Sequence, residues 1–223
     1  PNIDLHRELK LRLLNGTHTL SCGLAFLAGC ETVKQAMDDE LISSFIAELM
    51  LSELAPAIPY PVDLNKAKAF GAKVLDRFRN PEIQHPWISI TMQVSSKMRL
   101  RNIPILLRHY QQMDTVPVLF ALGFAAYLYF MKAVKQENGQ YFGKINHHYY
   151  KIQDDLAAQF YKRWNNLHPV ALVEDVLKDK EIWGEDLSLL PGFCAVVAEQ
   201  LEVIENAGLR EAIELVLQKK IAV

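Results

Sequence analysis

The sequence lacks the glycine-rich signatures of nucleotide-binding folds. Its ten glycines include no Gly-x-Gly pair, so these 223 residues contain neither a dinucleotide fingerprint nor a phosphate-binding loop. Any nucleotide chemistry would therefore need another domain. A strong excess of charge is also missing, because 24 basic and 26 acidic residues leave a formal net charge of −2. Nothing in this balance predicts a nucleic acid partner.

Cysteines are few, and long apolar runs are absent. Cys22, Cys30 and Cys194 are an odd number without a Cys-x-x-Cys spacing, which predicts reduced core residues of a cytoplasmic protein. The longest uncharged run, 116–131, is shorter than the roughly 20 residues that span a bilayer, so we expect a buried central helix and no membrane contact. The first ten residues show neither an initiator methionine nor a signal-peptide pattern, and we expect the numbering to start inside a longer chain.

Helical periodicity is present almost everywhere. Half of the residues are hydrophobic, and they recur at helical spacing without the sustained alternation of strands. Prolines divide the chain into nine or ten predicted helices, one of them capped by Asp63 and ending near Phe78. The polar segment 136–146 is predicted to be a loop or a short hairpin. The pattern is typical of one all-α, multi-helix domain over residues 1–223.

One predicted helix, 8–29, carries polar residues among its leucines. At about 100° per residue, Asn15 lies roughly 140° and His18 roughly 80° around the helix from Lys10, so the three share one side. A lysine in a water-poor cleft can exchange a proton with an alcohol, an amide N–H can hold an alkoxide oxygen, and a histidine can hydrogen-bond a hydroxyl. This set suits the interconversion of an alcohol and a ketone.

The spacing alone also permits a plainer interpretation of this helix, and favours it. Helical side chains lean toward the N-terminus, so Lys10 would point away from His18 unless a kink at Gly16 relieved this. In the plainer interpretation Lys10 is solvated, Asn15 and Gly16 form a turn or kink, and His18 is a hydrogen-bonded core residue.

The motif KLRLLNGTH fits the pattern Lys-x4-Asn-x2-His, and with it the chain resembles the long-chain mannitol dehydrogenase family. The segment LAGCETVKQAM is similar to the continuation of that helix in hexuronate-reducing members. Further matches lie in the segments RFRNPEIQH, SSKMRLRNIP and IWGEDLSLLPG. The resemblance covers essentially all 223 residues, as the all-α C-terminal domain of the family.

This resemblance implies a function and assigns roles to the three polar residues. Lys10 would be the general acid and base, Asn15 would stabilise the oxyanion, and His18 would bind the substrate. NAD would be bound mainly by an N-terminal Rossmann domain that these residues do not include, so the chain's partners would be that domain and a small sugar acid. No metal is implied.

A second set of residues would hold the far end of the substrate. Lys97 and Arg101 are four residues apart on one helix face, and together they could clamp a carboxylate. The resemblance places Lys97 at the substrate, while charge alone favours a solvated face. His85 follows an Asn-Pro turn and is a further candidate for the cleft. Mannitol-type members have an arginine where this sequence has Ser89, which weakens a polyol interpretation.

The resemblance therefore predicts the interconversion of a keto-hexuronate and its aldonate, tagaturonate and altronate. Within the same class, fructuronate or a mannitol-type polyol would be alternative substrates. The alternative from another functional class is a non-catalytic helical interaction module derived from this fold, which would work without any nucleotide domain. We expect this chain to be inactive in isolation.

Overall fold

The computed structural model of the protein describes residues 3–221, which are mostly helical. The first seven helices are α1 (Ile3–Leu9), α2 (Gly16–Leu27), α3 (Val33–Asp38), α4 (Glu40–Glu48), α5 (Leu64–Phe78), α6 (Trp87–Ile90) and α7 (Val94–Arg101). The next seven are α8 (Ile103–Gln112), α9 (Val118–Phe130), α10 (Ala157–Asn166), α11 (Pro169–Lys178), α12 (Lys180–Trp183), α13 (Phe193–Ala207) and α14 (Leu209–Ile221). The expectation of nine or ten helices was too low, because several breaks occur without a proline.

Two segments of the chain are π-helical. The segment π1 (Lys10–Asn15) joins α1 to α2, and π2 (Leu49–Leu54) follows α4 directly. A short 3-10 turn, Ala55–Ala57, ends π2, and a second one, Leu187–Leu189, precedes α13. The predicted helix over 8–29 is thus one continuous helical path, and the expected kink at Gly16 is a π segment that ends just before it.

The polar segment predicted as a loop or hairpin forms a small antiparallel sheet. Its strands are β1 (Lys135–Glu137), β2 (Gln140–Ile145) and β3 (His148–Lys151), in the order β1-β2-β3. Lys135 pairs with Phe142, and Phe142 pairs with Lys151. The β1–β2 turn consists of Asn138 and Gly139, both at positive φ, as a two-residue hairpin turn requires. This sheet is the main departure from the all-α expectation within residues 3–221.

The core is centred on α9, which confirms the buried central helix predicted from the apolar run. Its residues are apolar on all sides, and it packs chiefly against α2 and α13. At Gly123 a Cβ atom would lie 2.9 Å from the backbone oxygen of Leu20, so the absence of a side chain lets α2 approach α9 closely. In residues 3–221 no helix combines the length and apolar character needed to cross a bilayer.

The predicted helix from Asp63 is confirmed as α5. The Asp63 side chain accepts a hydrogen bond from the Lys66 backbone N–H at 3.1 Å, and the helix ends at Phe78 before Asn80 and Pro81. The loop that follows α5 is fixed to the chain after α2 by a short backbone bridge. In this bridge the N–H of Val33 donates to the His85 oxygen at 3.0 Å, and that of Trp87 donates to the Glu31 oxygen at 2.9 Å.

Candidate active site

The segment π1 places Lys10 and Asn15 on the same face of the helical path. The N–H of Gly16 donates to the oxygen of Leu11, a hydrogen bond across five residues instead of the four of an α-helix. Residues five apart therefore come to lie above one another, where an α-helix would separate Lys10 from Asn15 by roughly 140°. The π segment therefore brings Lys10 and Asn15 closer together around the helix axis.

Hydrogen bonds to the end of α7 and to Asn102, the residue after it, hold π1 in place. The buried Arg12 guanidinium donates to the oxygens of Leu100 and Arg101, at 2.8 and 2.9 Å, and pairs with Glu8 at 3.1 Å. The Asn102 amide donates to the oxygen of Gly16 at 3.0 Å. The middle of π1 and the residue after it are thus anchored to the end of α7 and to Asn102, so the irregular geometry of π1 is built into the packing.

Lys10, Asn15 and His18 line one cleft of about 230 Å³. Its other lining residues are Leu14, Val33, Arg77, Phe78, Ile83 and His85. One wall comes from π1 and α2, and the other comes from the end of α5 and the loop after it. Lys10 is exposed at the rim of the cleft, and Asn15 is half-buried. In the described residues the Lys10 ammonium forms no hydrogen bond and no ion pair.

His18 is buried in an aromatic box at the inner end of this cleft. Its ring stacks on Phe78 with centroids 4.3 Å apart and meets the edges of His85 and Trp87 at 5.6 and 5.8 Å. Burial, and then electrostatic repulsion from His85, Arg101 and Arg77, lower the pKa of His18 to about 3. The imidazole is therefore neutral near pH 7, with one nitrogen that donates and one that accepts.

Unsatisfied polar atoms are concentrated around α2. Within residues 3–221, seven buried side-chain polar atoms have no hydrogen-bond partner, and five of them lie on α2 or on residues that touch it. These five belong to Thr17, His18, Ser21, Trp87 and Asn102. The His18 atom in this set is Nε2, which is buried and has no hydrogen-bond partner in residues 3–221.

The structure brings His85 into the cleft with the three polar residues, but not Lys97 or Arg101. The Lys97 ammonium donates to the oxygen of Ile90 at 2.9 Å, and the Arg101 guanidinium donates to Thr19 Oγ1 at 3.2 Å. Burial, and then the charge of Arg101, lower the pKa of Lys97. Both cations lie near Cys22 on α2, whose pKa burial raises to about 12. Their role as a carboxylate clamp stays a prediction.

Sequence reasoning missed Arg77 as a residue of the cleft. The motif RFRNPEIQH was noticed for its resemblance, yet a basic residue in the last turn of a helix is also common for electrostatic reasons. The signal that could have singled it out was its place in the same motif as His85. Residues 3–221 contain no group of three or more His, Cys, Asp or Glu side chains that could hold a metal ion.

Comparisons with known proteins agree with this geometry. The family model described as the mannitol dehydrogenase C-terminal domain matches residues 2–205. Altronate oxidoreductase from Halalkalibacterium halodurans is 33% identical over 98% of this chain and 44% of its own length. The Yersinia enterocolitica altronate oxidoreductase is 35% identical over 95% of this chain and 43% of its own length. The chain thus spans less than half the length of these curated relatives.

Among solved structures, the chain is similar to Pseudomonas fluorescens mannitol 2-dehydrogenase in a ternary complex with NAD and D-mannitol. The match covers 96% of this chain and 41% of that one, with a TM-score of 0.79 and 23% sequence identity. A substrate-free D-sorbitol dehydrogenase matches with a TM-score of 0.64 and 18% identity. At these identities the two structures establish the shared fold. The family match and the curated oxidoreductases lead to one conclusion: the chain belongs to the mannitol dehydrogenase C-terminal domain family.

Proposed function

We propose that the chain is the substrate domain of an NAD-dependent oxidoreductase that interconverts tagaturonate and altronate. The observation that carries the proposal is that π1 brings Lys10, Asn15 and His18 to one small cleft. The altronate oxidoreductases among its relatives support the choice of substrate. The alternatives within the class are fructuronate and a mannitol-type polyol.

In this proposal each of the three residues has a role at the reacting oxygen. During reduction, Lys10 as an ammonium gives its proton to the forming alkoxide, and during oxidation it accepts the proton of the hydroxyl. The amide N–H of Asn15 holds the same oxygen. His18, neutral because of its burial, hydrogen-bonds a neighbouring hydroxyl and so orients the carbon chain.

We assign the binding of the cofactor to a part of the protein outside these residues. The three strands described form an antiparallel meander, so residues 3–221 offer no parallel βαβ unit for a dinucleotide. NAD, when bound, accepts or supplies the hydride. The exposed position of Lys10 leaves room for a second domain, and covering that rim would exclude water from the proton transfer. We infer that an N-terminal Rossmann domain covers this rim. We also infer that the protein is cytoplasmic, and its three cysteines are free.

The first experiment follows NADH consumption by the complete protein with tagaturonate, fructuronate and fructose in parallel. We expect a clear preference for tagaturonate. A preference for fructuronate or fructose would keep the reaction class and change the substrate. No NADH oxidation with any of the three would favour the non-catalytic helical module, and the absence of a Gly-rich βαβ pattern upstream would support that outcome.

A further inference from the structure

Arg77 differs from every other arginine in the chain. Eight of the nine arginines, all within the described residues, donate a hydrogen bond or form an ion pair. The guanidinium of Arg77 has no such partner in residues 3–221. It lines the cleft, in the last turn of α5. An arginine without a partner is a fork of donors that is free to bind an external anion.

The cleft itself carries positive charge without compensation. Its lining includes Lys10 and Arg77 but no aspartate or glutamate. The charge of Arg77 reaches the inner end, because it contributes to the lowered pKa of His18. A small anion is therefore the ligand that this cleft favours, and a carboxylate fits a guanidinium with two parallel hydrogen bonds.

The two walls of the cleft carry different sets of polar residues. Lys10, Asn15 and His18 lie on the wall formed by π1 and α2, whereas Arg77 and His85 lie on the opposite wall. We propose that Arg77 binds the carboxylate of the sugar acid and thereby selects acids over neutral polyols. This inference rests on the proposed function, whose reacting carbon lies at the Lys10 wall.

Lys97 and Arg101, the earlier candidates for this contact, already have partners. Their hydrogen bonds to the Ile90 oxygen and to Thr19 would have to break before either could bind a carboxylate. Neither residue lines the cleft. Arg77 needs no such rearrangement.

The test uses the complete protein and compares altronate with the neutral polyol altritol. Binding is measured by calorimetry and oxidation by NADH formation, for the wild type, Arg77→Gln and Arg77→Lys. We expect Arg77→Gln to weaken altronate binding and raise its KM by about 30-fold or more, with kcat changed less than about threefold. Arg77→Lys should recover part of the loss, and altritol should bind all three proteins equally.

Arg79→Gln is the matched control. Arg79 lies two residues further along, is exposed and pairs with Asp76 at 3.4 Å, so its replacement should leave altronate binding unchanged. Equal altronate binding by Arg77→Gln and the wild type would overturn the inference. If the wild type bound altronate through Arg77 without oxidising it, the inference would hold and the proposed function would fail. A wild type that bound no altronate would overturn both.

Discussion

The two π segments differ in what faces them. In π2 the Glu53 carboxylate, with the residue 7% exposed, accepts the backbone N–H groups of Leu119 and Phe120 at 3.1 and 2.7 Å. The Lys220 ammonium lies 3.3 Å from the same carboxylate. The carboxylate of Glu53, the only charged residue within π2, is thus compensated. In π1 the Lys10 ammonium has no partner in the described residues, and it faces an open cleft.

One backbone irregularity therefore serves two purposes in this chain. Around π2 it turns a carboxylate toward the N-terminus of α9, where the helix dipole and the free N–H groups favour a negative charge. Around π1 it aligns two polar residues beside a space that a small molecule can enter. The π geometry alone does not indicate a functional site. The unpaired polar groups beside π1 do.

Replacing Glu53 should have the largest effect on stability. Glu53→Ala leaves two buried N–H groups without an acceptor and removes the carboxylate that pairs with Lys220, so we expect a loss of about 3 kcal/mol in the free energy of unfolding. Urea denaturation of the complete protein measures it. Glu48→Ala, at an exposed position on α4, is the control and should change stability by less than about 0.5 kcal/mol. Equal losses in both variants would contradict a structural role for π2.

Replacing Lys10 should affect turnover without affecting stability. Lys10→Met removes the proposed proton donor, and we expect kcat to fall by at least about a hundredfold. Because Lys10 is exposed, the free energy of unfolding should stay within about 0.5 kcal/mol of the wild type. Lys68→Met, at an exposed position on α5, should leave both quantities unchanged. Turnover within tenfold of the wild type would remove Lys10 from the mechanism.

His18 should make the free energy of unfolding depend on pH. Its pKa is about 3 in the folded protein and near 6.5 when unfolded, so below about pH 6.5 the unfolded state binds a proton that the folded state does not. The wild type should lose about 2 kcal/mol more than His18→Gln between pH 7 and pH 5, with the effect levelling off near pH 3. Denaturation curves at the two pH values measure this. Parallel losses in both proteins would mean that His18 is protonated when folded.

Lys220 should have the smallest effect. Its side chain is 27% exposed and Glu53 keeps two backbone donors without it, so Lys220→Met should cost about 0.5 kcal/mol. In the Glu53→Ala background the same change should no longer destabilise the protein, since the partner is gone. A cost that persists there would show that Lys220 acts through Ser52 instead.

Elements with a strong residue signal could be predicted from the sequence. The central helix α9 follows from its uncharged run, and α5 follows from Asp63 at its start and Asn80 and Pro81 after its end. The motif Lys-x4-Asn-x2-His also singled out Lys10, Asn15 and His18 as a set, and the structure brings them to one cleft through a π geometry that the spacing did not predict. These features depend on local chemistry that the residue types determine.

The features that were missed depend on register and on distant contacts. A π segment shifts hydrogen bonds by one residue without changing the residue types, so nothing in KLRLLN indicates it. The break between α6 and α7 occurs at Gln93, a non-glycine residue with a φ of 52°, which a sequence pattern does not reveal. The three strands are only three to six residues long, too short to show alternation, although Asn138 and Gly139 marked their turn.

The bridge between Thr32 and Pro86 bears on the order in which the protein folds. It joins positions more than fifty residues apart, and closing a loop of that length costs about 3 to 4 kcal/mol of chain entropy. The π1–α2 wall is built from residues close together in sequence, whereas the Arg77 and His85 wall takes its place only when this loop is closed, so we expect it to form later. We therefore expect substitutions in the bridge, such as Pro86→Ala, to speed unfolding more than they slow folding.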